Sequence, residues 1–426
     1  MPRPARPLLF PLLCAWLCAL PLTPVPAAAA DVPVDATDTR AEEEQFDAVK
    51  TFLKSEQDIE ALRKEAAAEG DWKLSDDADI PVKELVFRKK WHRAPFGTTA
   101  FDMTPQEIRD NWDTLMRVMR VPYPSAEYLR VRHKQFPTIV NVGKDFDGDY
   151  EKLSAQVVNV WRLFFRGDYQ AAMAAGDELG AVGQMAGKLA QMMYAIYLEP
   201  DLEHKHMLLQ DTINVIRKHG QTLDAMRKDP RFYNDFISIR CAYALAIGRM
   251  AEDVPIPVAI GRNYVFKLLS VTDDARQFAP MHPLGLTFRA GIDANVVRKL
   301  GKATGRVTFG AKPVNVEELY RRALEIVPDS AVIRYEYANS YLYLNKKKEI
   351  DRALEELAIA ARQKPRFSME ALDAMYAAKR RREVEALAQW KGTFRSFERK
   401  RLAHQKKANN NLYCVLPKDC PPFIIK

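Results

Sequence analysis

Leu319-Tyr-Arg-Arg-Ala-Leu-Glu-Ile-Val-Pro-Asp329 and Leu357-Ala-Ile-Ala-Ala-Arg-Gln-Lys-Pro365 decide the fold. Each places a large apolar residue, an alanine three positions later and a proline five positions beyond that. The residues are Tyr320, Ala323 and Pro328 in the first stretch and Leu357, Ala360 and Pro365 in the second. A spacing of three keeps two side chains on one side of a helix. The alanine lets a neighbouring helix approach closely, and the proline stops the helix that carries it. The two prolines are 37 residues apart, and Tyr337, Ala338 and Tyr341 fall between them at helical spacing. A helix–turn–helix unit recurring at a fixed interval predicts stacked helical hairpins.

The same periodicity spreads outward. Helical patterns are expected near 181–198, 202–219, 231–250, 314–326, 331–344, 349–363 and 368–406. Val157, Val160, Trp161, Phe164 and Phe165 form one apolar face, closed by Gly167-Asp168-Tyr169. Thr104-Pro105-Gln106-Glu107 reads as a helix start, with a capping hydroxyl, a proline in the first turn and a glutamate reaching back. Ile108, Trp112, Leu115 and Met119 would be the buried stripe of that helix, which Pro122 and Pro124 end. Two amphipathic segments are expected between Phe46 and Gly70. Residues 71–103 read as a long irregular connection and 253–288, with their prolines, as loop-rich. No run alternates as strands do, so the fold class is all-α.

The two stretches resemble the tetratricopeptide repeat, a helix–turn–helix unit of about 34 residues. The small residue opening the second helix of that unit corresponds to Ala353. Its large apolar residue corresponds to Leu357 and Tyr320, its later alanine to Ala360 and Ala323, and its closing proline to Pro365 and Pro328. The resemblance covers residues 314–366, with a degenerate copy starting near Gln156. It implies a scaffold whose stacked helices form a groove for a peptide or protein partner. Tyr335, Tyr337, Tyr341 and Tyr343 are the candidate contact residues, although one helix cannot turn all four to the same face.

Composition sets the frame. The chain has 426 residues, 47% of them hydrophobic and 28% charged, which excludes wholesale disorder and a polytopic membrane protein. Glycine is scarce, at 18 residues, which favours helices. Arg3 and Arg6, the apolar stretch Leu8–Leu22 and Ala28-Ala29-Ala30 predict a secretory signal peptide over 1–30, cleaved near Ala30. An acidic, flexible linker over 31–45 follows. Beyond it the expected organisation is a helical and irregular region (46–148), a helical region with the degenerate repeat (149–313), TPR-like helices with a basic C-terminal helix (314–407) and a tail (408–426). Cys414 and Cys420 flank a proline-containing loop and are expected to form a disulfide, as suits a periplasmic or secreted protein. Cys241, within a helical pattern, reads as a buried small hydrophobe.

Three motifs with the outline of a chemical site fail in detail. Asp145-Phe-Asp147-Gly-Asp149 lacks the glycine and the bidentate glutamate that a calcium loop places at its sixth and twelfth positions. His204 and His206 lie two apart in a helical pattern and point in different directions, so they read as solvated. Gly301 to Lys312 resembles a phosphate loop, but its lysine does not follow the second glycine directly. Arg306 and Lys312 are retained as candidate anion contacts. Residues 379–407 hold eleven Lys/Arg and three Glu, against a whole-chain net charge of +8. Arg380, Arg381, Arg382, Arg399, Lys400 and Arg401 are expected to form a basic surface on that helix.

No catalytic set, cofactor or metal site emerges. The expected function is an exported, non-enzymatic helical-repeat protein binding a peptide or protein of the cell envelope, with no nucleic acid and membrane contact peripheral at most. The alternatives are an envelope enzyme with residues scattered over 71–103 and 253–313, or a membrane-surface or polyanion binder working through the basic helix.

Overall fold

The computed structural model describes residues 89–97, 99–137, 146–254 and 256–425. The expected signal peptide, linker and amphipathic segments up to Gly70 lie outside them. The described chain is all-helical, with no strand among the described residues. Residues 89–97 and 99–103, the part of the expected irregular connection that is described, are non-helical.

Thr104 starts α1 (Pro105–Asp110) with the predicted capping box, its hydroxyl taking the Glu107 amide while Glu107 reaches back. α2 (Trp112–Leu115) and α3 (Ala126–Gln135) follow. Asp149, the last residue of the calcium-loop lookalike, caps α4 (Tyr150–Arg166) by accepting from the Lys152 amide. Gly167 ends α4 at φ 89°, and a Cβ there would lie 2.9 Å from the Phe96 ring. The apolar face of α4 is fully buried. Trp161 meets Trp112 edge-on at 5.5 Å, and Phe165 meets Phe367 at 5.1 Å, so distant parts of the chain share one core.

α5 (Tyr169–Glu178) and α6 (Ala181–Tyr197) cross where Gly176 faces Gly183 and Gly187. α7 (Leu202–Lys218), α8 (Gly220–Met226) and α9 (Tyr233–Asp253) continue the array. Proline-punctuated 253–288 is not loop-rich. It folds as α10 (Ile256–Gly261), α11 (Tyr264–Phe278) and the start of α12 (Pro283–Leu300). Pro283 occupies the first turn of α12, where no backbone donor is needed, so it marks a helix start instead of breaking one. The glycine-rich stretch after it is also helical, as α13 (Lys302–Phe309) between Gly301 and Gly310, both at positive φ.

α14 (Val316–Ile326), α15 (Ala331–Asn345) and α16 (Ile350–Ala361) carry the two deciding stretches. Ala323, Ala338, Ala353, Leu357 and Ala360 are completely buried. Tyr337 is sandwiched between Tyr320, at 4.7 Å, and Tyr341, at 4.4 Å. Ala360→Leu should therefore overpack its helix contact and cost about 1–3 kcal/mol. Arg362→Leu, on an exposed site, should stay within about 0.5 kcal/mol. Equal thermal unfolding of the two variants would refute the close contact at Ala360.

The single helix expected over 368–406 is two, α17 (Ser368–Gln389) and α18 (Phe394–Ala408). Thr393 caps the second by accepting from the Ser396 amide, which restarts the helix after a break at Gly392. Cys414 and Cys420 are disulfide-bonded, and Cys241 is buried and free. Between α18 and the disulfide, the side-chain amide of buried Asn411 donates to the carbonyls of Ala195, Ile196 and Glu199. These are carbonyls at and just beyond the C-terminus of α6 that lack helical partners. The amide of Val415 adds a bond to the Tyr197 carbonyl at 2.9 Å.

Candidate functional site

α9 packs against α7 and α11 and carries Cys241, Ala242, Ala244 and Gly248, all small. A Cβ at Gly248 would meet nothing within 4 Å, and at Gly291 of α12 only the Tyr320 hydroxyl at 3.5 Å. Small residues on facing helices leave space, here a cavity of about 220 Å³. Its wall is apolar over most of its extent. Met185, Leu189 and Met193 come from α6, Leu268 from α11, and Phe288 and Ile292 from α12. Burial in this wall pushes the Cys241 thiol up to about 12, so it is an inert neutral group.

Polar groups enter the wall from α9, α12, α15 and α17. Arg249 is 5% exposed and donates to Glu336 at 2.6 Å, to Tyr335 at 3.2 Å and to Glu252 at 3.3 Å. Its guanidinium lies 4.0 Å from the Tyr413 ring, so the disulfide-closed tail covers it from behind. Tyr335 and Tyr197 share a hydrogen bond at 2.9 Å, and Tyr197 donates to Asp373 at 2.7 Å. A continuous chain thus runs from Arg249 through two tyrosines to Asp373. Lys299 donates to the Ala251 carbonyl at 3.1 Å, and burial, with Arg298 beside it, brings its ammonium down to about 8.

Burial pushes the Asp373 carboxyl up to about 7, against the opposing hydrogen bond from Tyr197. The folded state thus holds a proton that the unfolded chain releases near 4. This contribution to stability is full below about pH 4 and is lost as pH rises through about 7. Asp373→Asn removes it. Relative to the wild type, the variant should gain about 2 kcal/mol between about pH 5 and about pH 8. A pH-independent difference in urea unfolding would show that Asp373 is ionised throughout.

The other expected site residues are placed as follows. Tyr335, Tyr337 and Tyr341 are buried, and Tyr343 is half-buried with Arg298 over its ring at 4.1 Å. Of the four, Tyr335 lines the cavity, while Tyr337 and Tyr341 floor a surface cleft with Arg321, Glu325, Arg352 and Glu356 on its sides. Arg306 and Lys312 are exposed and lie outside both. The basic surface needs correction. Arg381, Arg382, Arg399 and Lys400 are exposed, but Arg380 and Arg401 are 2% and 3% exposed and belong to an internal ion-pair network. Helical spacing turns them inward, and Glu383 and Glu398 make their burial tolerable.

His204 is buried, not solvated. It pairs with Glu199, which also accepts from the Tyr194 hydroxyl at 2.8 Å. Burial raises the Glu199 carboxyl, but the bonds from His204, the Asp201 amide and Tyr194 outweigh it and hold the group at about 2. His206 turns elsewhere, to Asp253 at 3.1 Å. His282 is buried against the Met119 carbonyl at 3.2 Å, and His92 is exposed.

Sequence reasoning missed the cavity because its wall is assembled from α6, α9, α11, α12, α15 and α17, which only the fold brings together. The available signals were Gly248 in a helix interior and charged Arg249, Glu252 and Asp373 in otherwise buried stretches. Comparison with protein-family profiles, curated proteins and solved structures finds no match to this chain.

Proposed function

We propose that the chain is an exported, non-enzymatic, TPR-like binding protein whose cavity takes up an apolar small molecule. The observation that carries this reading is the largely apolar cavity of about 220 Å³, with Arg249, Lys299, Glu336 and Asp373 among the residues of its wall. Protein interiors are normally packed to crystal density, and voids cost stability roughly in proportion to their volume. An apolar void of roughly 150 Å³ accommodates benzene. The Cys414–Cys420 disulfide is compatible with an oxidising, exported location, which a signal peptide cleaved near Ala30 would provide. Among the described residues, no helix is long and apolar enough to cross a membrane.

The environment-sensitive dye N-phenylnaphthylamine should bind with one-to-one stoichiometry and enhanced emission. In methyl-labelled protein it should shift the NMR signals of Met119, Met185, Met193 and Met369, which line the cavity. Gly248→Leu fills the space without meeting a neighbour at Cβ and should reduce dye affinity at least about tenfold while the protein stays folded. Dye binding that Gly248→Leu leaves intact would place the site elsewhere.

The peptide or protein partner of the envelope is the second reading, and one observation favours it. The stacked Tyr337–Tyr341 pair floors a cleft with charged sides, which suits an extended segment with an aromatic or aliphatic anchor. Crosslinking in the envelope, compared between wild type and Tyr341→Ala, tests it.

A further inference from the structure

The cavity wall contains two buried polar atoms without a hydrogen-bond partner, Nε of Arg249 and Oδ1 of Asn295. One is a donor and the other an acceptor. The α9 and α12 segments that carry them adjoin. Lys299, one turn after Asn295 on α12, donates to Ala251, which lies two residues after Arg249 on α9. The other nitrogens of these two side chains are already paired. The Arg249 terminal nitrogens serve Glu252, Glu336 and Tyr335, and Asn295 uses its own amide on the Gly291 carbonyl at 2.9 Å.

From this pairing, and resting on the apolar-ligand reading above, we propose that the ligand is an apolar alcohol, its hydroxyl accepting from Arg249 Nε and donating to Asn295 Oδ1. A buried unpaired donor or acceptor is costly, and a hydroxyl satisfies one of each. A hydrocarbon leaves both unpaired. A carboxylate cannot donate to Asn295 and brings a third negative charge beside Glu252 and Glu336, two carboxylates that already share the one Arg249 guanidinium. An ammonium cannot accept from Arg249. The hydroxyl therefore selects the ligand class, and the apolar wall holds whatever chain it carries.

The test uses the intact mature protein and four probes of one chain length, octanol, octane, octanoate and octylammonium, competing with N-phenylnaphthylamine. Octanol should bind about tenfold more tightly than each of the other three. Asn295→Leu should weaken octanol about tenfold and leave octane unchanged. The NMR shifts of the four cavity methionines report whether the variant is folded and where the probe sits. Octanoate or octane binding as well as octanol, or octanol unaffected by Asn295→Leu, overturns the alcohol assignment while leaving the apolar-ligand reading intact. Failure of all four probes and of the dye overturns both. Because the probe series is read on the unmodified protein, the assignment remains falsifiable even if Asn295→Leu does not fold.

Discussion

Gly183→Ala should destabilise the protein by about 3 kcal/mol, the upper end for adding one methyl group to a packed interior. The added Cβ would lie 2.6 Å from the Gly176 carbonyl oxygen and 2.8 Å from Leu179 Cβ. The first contact is with backbone, which cannot rotate away as the end of a side chain can. Relief requires α5 and α6 to separate, and α6 also supplies Met185, Leu189 and Met193 to the cavity wall. The control is Gly248→Ala. Gly248 sits in the interior of α9, where alanine brings a gain in helix propensity of about 0.8–1 kcal/mol, whereas Gly183 sits in the first turn of α6. At Gly248 nothing opposes it, because a Cβ there has open space. Urea unfolding should therefore move in opposite directions for the two variants. If both stabilise, α5 and α6 do not cross as closely as the structure has them.

Why some elements were legible in the sequence and others were not follows from what each depends on. Helix starts depend on three or four consecutive residues, so Thr104 to Glu107 predicted the cap that is observed. The buried stripe of α4 depends on one period, and Val157 to Phe165 displayed it. Ala323 and Ala360 depend on a spacing repeated twice, and both are buried. Prolines are ambiguous, since the same residue type ends one helix and begins another, and Pro283, in a stretch that reads as loop, begins α12. The cavity depends on what several helices fail to fill, which no single window contains. Gly248 is silent in sequence because a mid-helix glycine equally marks a close crossing, as Gly187 does. Charge was the most misleading signal. A count of basic residues says nothing about which of them face inward, and the inward Arg380 and Arg401 meet Glu383 and Glu398 as their acidic partners.

Those partners give the largest expected effect. Glu383→Ala should cost about 3–5 kcal/mol, the range for removing one member of a buried ion-pair set. Glu383 is 2% exposed and accepts from Arg380 at 3.1 Å and from Arg401 at 3.2 Å. Glu398 takes Arg401 through both oxygens, and Arg380 also donates to Asn339 at 2.8 Å. Two guanidiniums and two carboxylates thus cancel within the α17–α18 contact, and loss of Glu383 leaves a net buried positive charge. Because arginine does not deprotonate, that charge can be relieved only by opening the contact. Glu398 adds a pH signature. Burial raises its carboxyl, but Arg401 and Arg380 outweigh this and hold it at about 2. Its stabilising effect is present above about pH 4.5 and lost as the pH falls towards 2. The double variant Glu383→Leu with Arg401→Leu removes one charge of each sign and should recover most of the loss, since an apolar replacement of a buried pair is often nearly neutral. Unfolding of the two variants across pH distinguishes this from a surface role. If Arg380 and Arg401 were solvated members of a basic patch, Glu383→Ala would cost less than about 1 kcal/mol and the double variant would restore nothing.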